Sequence, residues 1–183
     1  MIRFFKRYLL IFIGIIFDFI VNGFLPVTFG YQGFVLTAYF GFAGLILSTR
    51  KFSLEKKLFT SFLYGVFLEV QVFNSSLIIL LSILLITVIG HVIQDIFGNS
   101  MVEKGILLFF EISFLEISSY LLATILGKIK IGLVSFLTYQ FILTILLNIV
   151  VIFVMLLIES VIIDKKIQNE RIRKRREHIS LIE

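Results

Sequence analysis

The stretch from Gly105 to Leu126, GILLFFEISFLEISSYLLATIL, decides the fold, because it is long enough as a helix to cross a bilayer core of about 30 Å yet carries two carboxylates. Its 13 Leu, Ile and Phe residues contribute roughly −4 to −8 kcal/mol on an insertion scale, whereas two central glutamates cost about 5 to 7 kcal/mol if treated like Asp. The segment is marginal alone. Glu111, Glu116 and the run Ser118-Ser119-Tyr120 therefore need partners on neighbouring helices, water or protons. Five residues apart, the two glutamates point about 140° from each other around a helix and address different partners.

The rest of the chain agrees with a membrane bundle. Of its 183 residues 59% are hydrophobic and 16% charged, with a mean hydropathy of +1.08, whereas soluble domains are about 25% charged. Outward from the fifth segment, the sequence predicts an all-α polytopic bundle of six transmembrane helices over residues 1–163 and a basic cytoplasmic tail over 164–183. Segment one runs from about Tyr8 to Leu25 behind Arg3, Lys6 and Arg7. No small-residue cleavage site follows it, so it reads as an uncleaved helix. Pro26 and Gly30 end it. Segment two spans about Tyr31–Leu47, three spans Leu58–Phe73, and Asn74-Ser75-Ser76 turns the chain into four, which ends near Ile96. Segment six, Ile131–Ile163, exceeds a span and continues as a polar helix to about Arg176.

Charge sets the orientation. Of the 17 Lys and Arg residues, all but Lys128 and Lys130 fall at the termini or in the second and fourth loops, so the positive-inside rule puts both termini in the cytoplasm. The tail basics read as a topology determinant or an anionic-lipid contact, not as a nucleic-acid site.

Three acids, Asp18, Glu69 and Glu116, fall near the midplane, and Glu111 lies shallower, on the cytoplasmic side. Gly14, Asp18 and Asn22 share one face of segment one. Segment three repeats the device with Gly65 and Glu69, the glycine allowing a second helix to approach where the acid needs a partner, and Gln71 adds a polar group nearby. His91, with Gln94 and Asp95 one turn on, can reach Glu111. Gly41 and Gly44 form a small-residue patch for close packing, within the bundle or between subunits. These groups can glue helices together, bind a small solute or ion, or carry protons.

Absences narrow the chemistry. Without cysteine there is no disulfide, thiolate metal site or cysteine nucleophile. One histidine among dispersed acids lacks metal-site spacing. No P-loop, dinucleotide fingerprint, Gly-x-Ser-x-Gly elbow or His-Glu-x-x-His occurs, so no catalytic residue, cofactor or metal is expected.

The order of features resembles a known family. A Leu25-Pro26 after the first span and a basic loop after the second precede FLYGVFLEVQVFNS (Phe62–Ser75), in which Gly65 is followed four residues later by Glu69. Gly90-His91 and Phe110-Glu111-Ile112 extend the pattern, which covers most of Leu25 to Ala123. This resembles the MreD family of bacterial rod-shape-determining membrane proteins. Glu69 stands where Asp is commoner, and Phe73–Ser76 lacks the usual Gly-rich turn. The resemblance implies a noncatalytic component of the cell-elongation complex in the cytoplasmic membrane. Such a component binds the bitopic scaffold MreC and helps couple MreB filaments to RodA and its penicillin-binding transpeptidase. The family is also similar in architecture to the substrate-binding subunits of energy-coupling-factor vitamin transporters, which supplies the alternative. Bulky residues from Phe12 to Phe19, and few polar residues in the outer loops, favour the assembly role.

Overall fold

The computed structural model describes residues 2–24, 37–69, 77–94, 96–98 and 100–179, with side chains placed for most of residues 8–162. The turns expected at Leu25–Gly30 and Asn74–Ser76, together with Gln71 and Asp95, lie outside the described residues. Among the described residues there are six helices and no strand. They are α1 (Ile2–Phe24), α2 (Phe40–Thr49), α3 (Leu54–Leu68), α4 (Ile78–Ile93), α5 (Met101–Ile125) and a C-terminal helix. The last is built from Leu133–Ser135, a π-helical stretch Phe136–Phe141, and Ile142–Ile179.

Two of them, α5 and the C-terminal helix from Leu133 to Ile162, are long and apolar enough to cross a membrane. The C-terminal helix runs to Ile179 without a break at the expected tail boundary near Asp164, as its second half reads from sequence.

Successive helices pack antiparallel. Asn22 meets Ala38 while a Cβ at Gly44 would meet Leu10, and Glu69 meets Ile79 while Lys57 meets Gln94. Likewise Tyr120 bonds the Ile131 carbonyl and Lys104 pairs with Glu159 at 2.8 Å. α2 sits at the centre, touching α1, α3, α5 and the C-terminal helix. Its residues from Phe40 to Leu47 are all buried, which explains why it is apolar all round and carries no stripe.

Helix starts differ from the sequence reading in several places, α1 among them, which begins at Ile2 and not near Tyr8. α2 begins at Phe40, after non-helical Thr37–Tyr39, and its 10 residues rise only about 15 Å. α3 begins at Leu54, taking Lys57 into the helix. α5 begins at Met101 because Ser100 closes a capping box: its hydroxyl accepts from the Glu103 N–H at 3.2 Å and its own N–H donates to Glu103 Oε2 at 2.9 Å. The reciprocal Ser100 bonds hold the Glu103 carboxyl below the usual glutamate range. A depressed carboxylate pKa contributes stability above its unfolded value, and that contribution is lost as pH falls through the folded value. Ser100→Ala removes the N-cap itself and is expected to cost about 1 kcal/mol. Amide exchange in the first turn of α5 should rise in this variant, and in the parent on acidification.

Candidate functional site: buried carboxylates at helix starts

A helix start leaves N–H groups with no intrahelical acceptor, and inside a protein core no water replaces one. α2 starts in such a place, with Tyr39 and Phe40 buried. Asp18, nearly two turns before the end of α1, accepts from Phe40 N at Oδ1 (2.7 Å) and from Gly41 N at Oδ2 (2.8 Å). The carboxyl group also lies at the positive end of the α2 dipole, which favours its anionic form.

The non-helical residues ahead of α2 are satisfied by two asparagines. Asn22 donates to Ala38 O at 3.1 Å and accepts from Ala38 N at 2.9 Å. Asn148, from the C-terminal helix, accepts from Tyr39 N at 3.0 Å and donates to Thr37 O at 2.8 Å. The Tyr39 hydroxyl then donates to Glu116 Oε1 at 2.7 Å, and the buried Tyr64 packs over Gly41 beside Asp18. Asp18 and Glu116 thus meet around one short stretch of backbone, residues 38–41.

Glu69 does the same work elsewhere. Its Oε1 accepts from Ile79 N at 2.8 Å and Leu80 N at 3.2 Å, so it caps the start of α4 from the end of α3. Leu77, just before α4, has a φ of 70°, which brings the chain sharply into the helix.

The two glycines complete the repeat. A Cβ on Gly14 would overlap the Phe40 carbonyl and Gly41 Cα, and one on Gly65 would lie 2.6 Å from Leu80 Cδ1. In each hairpin a glycine lets the capped helix approach, and the acid four residues later receives its first N–H groups. Gly41 and Gly44 serve the same packing inside the chain, against Asp18, Tyr64 and the Leu10 backbone.

No family model, curated protein or solved structure matches this chain.

A second polar group occupies the other end of the bundle. Arg50, in the turn after α2, donates to the Phe97 and Gly98 carbonyls and so ties the α2–α3 turn to the α4–α5 connection. Lys57, only 6% exposed, donates to Gln94 Oε1, and Gln94 Nε2 sits 3.0 Å from His91 Nδ1. The Glu111 carboxylate packs over Gly90 and faces Lys57 and Arg50. His91 and Glu111 line one cavity here, but the expected direct contact between them is replaced by the His91–Gln94 pair.

The structure therefore separates the expected midplane acids into Asp18 with Glu116, and Glu69 with α4. Of Ser118-Ser119-Tyr120, Ser118 bonds the Leu115 carbonyl and Tyr120 the Ile131 carbonyl, while the buried Ser119 hydroxyl has no partner among the described residues. Asn148, Tyr39 and Tyr64 carry much of the network and escaped the sequence reading. A lone Asn inside ILLNIVVIF was the available signal for the first.

Tyr39→Phe leaves the Glu116 carboxylate buried without that donor, and is expected to cost about 1–3 kcal/mol in a detergent-unfolding titration.

Proposed function

We propose that this chain is a noncatalytic, six-span membrane component of the bacterial cell-elongation machinery, of the MreD kind, with both termini in the cytoplasm. On this reading it binds a bitopic MreC-like scaffold in the membrane and helps couple MreB filaments to RodA and its transpeptidase partner. The observation that carries it is the use made of the buried acids. Asp18, Glu69 and Glu116 each accept hydrogen bonds from donors of the same chain, so the anion position at each capped helix start is filled from within. In a carrier built on broken helices, that position is where an anionic substrate group would bind. Here it holds the bundle in one shape, as a recruiting surface requires.

Affinity purification of the intact chain from membranes in mild detergent, with mass spectrometry of what accompanies it, tests the reading. A bitopic scaffold together with elongation enzymes is the expected recovery. An ATPase pair with a coupling subunit would overturn it in favour of a vitamin-transporter subunit.

A further inference from the structure

The cavity at the Arg50 end of the bundle holds complementary groups that do not touch. Arg50 Nη1 is buried and meets no acceptor among the described residues. The Glu111 carboxylate borders the same cavity and receives no direct hydrogen bond from a described side chain or backbone N–H. A buried donor without an acceptor, beside a carboxylate without a donor, calls for something that joins the two. The cavity measures about 20 Å³, and a water needs about 10–15 Å³ and at least two polar partners. It thus has the size and the lining for one water that accepts from Arg50 and donates to Glu111.

We propose that this cavity is a single-water site through which the Glu111 carboxylate takes up and releases a proton at the end of the bundle bearing the α2–α3 turn. A hydronium arriving there transfers one proton to a carboxylate oxygen, leaving a neutral carboxyl and a water still held by the Arg50 N–H; release is the reverse. Among the described residues, the charged and titratable groups facing Glu111 are Arg50 from the α2–α3 turn, Lys57 from α3 and His91 from α4. The two cations favour the charged carboxylate and its enclosure favours the neutral acid, and with these opposed the protonation state of Glu111 sets the local charge, next to the Arg50 bonds that tie the two turns together. Asp18, Glu69 and Glu116 differ, because their donors belong to the protein. The site is independent of any partner, so it stands or falls apart from the assembly role.

Water-edited solid-state NMR on the full chain in bilayers reads this directly. Magnetisation from water should reach the Glu111 carboxyl carbon several-fold faster than those of Asp18 and Glu116, its shift should follow bulk pH, and Glu111→Gln should remove that signal. Gly90→Ala should slow the transfer to the Glu116 rate, because its Cβ would lie 2.5 Å from Glu111 Oε1 and push the carboxylate into the cavity. Equal transfer rates at Glu111 and Glu116, a Glu111 shift that ignores pH, or unchanged transfer in Gly90→Ala would each overturn the proposal.

Discussion

Asp18→Asn is expected to destabilise the bundle by about 2–3 kcal/mol and to uncap α2, a larger loss than Glu69→Gln, which keeps the cap of α4. Both changes remove a charge and keep size, so charge alone predicts equal losses. The hydrogen bonds predict otherwise. Asp18 uses one oxygen for each backbone N–H, and the amide of Asn would turn an NH₂ toward one of those donors. Glu69 serves the Ile79 and Leu80 N–H groups through the single atom Oε1, and for this cap the carbonyl of Gln is an equivalent acceptor. The leucine variants at both positions strand two N–H groups where water does not reach, at several kcal/mol per group. Asp18→Leu and Glu69→Leu should therefore fail to accumulate as folded protein. Folded fraction against increasing denaturing detergent separates these cases. Equal loss in Asp18→Asn and Glu69→Gln would show that charge, not capping geometry, is what the acids supply.

Gly14→Ala should cost about 3 kcal/mol, near the upper end for overpacking, and Gly65→Ala distinctly less. The difference lies in what each new methyl would strike. At Gly14 it meets the backbone of Phe40 and Gly41, which cannot rotate away, so α1 and α2 must separate and Asp18 is drawn off the N–H groups it caps. At Gly65 the nearest atom is the end of the Leu80 side chain, and the Leu80 Cα is 3.2 Å away, so a rotamer change absorbs most of the overlap. Thermal unfolding of the two variants in the same detergent gives the order. A larger effect at Gly65 would contradict the packing described here.

Much of this device is legible in the sequence, because helical periodicity alone puts Gly14, Asp18 and Asn22 on one face and Gly65 and Glu69 on another. The recipients are not legible. They are backbone N–H groups, and which ones are open depends on where α2 and α4 begin. The start of α2 is hidden because the helix is buried on every side, so no polar face phases it, and a helix from Tyr31 looks as good as one from Phe40. Arg50 and Lys57 illustrate a different limit. As members of a charged loop they speak for topology, but α3 begins early enough to turn Lys57 inward, where Gln94 receives it. Asn148 was hidden by its surroundings, since one amide does little to the hydropathy of a helix that otherwise reads as lipid-facing.

Carboxylates cap helices that start away from water in this bundle, and residue-resolved amide exchange in bilayers measures that capping most directly. Phe40, Gly41, Ile79 and Leu80 should be strongly protected in the parent chain. Asp18→Asn should release Phe40 or Gly41 while leaving Ile79 and Leu80 protected, and Glu69→Gln should leave all four protected. Free exchange at these amides in the parent, or loss at Ile79 and Leu80 in Asp18→Asn, would contradict it.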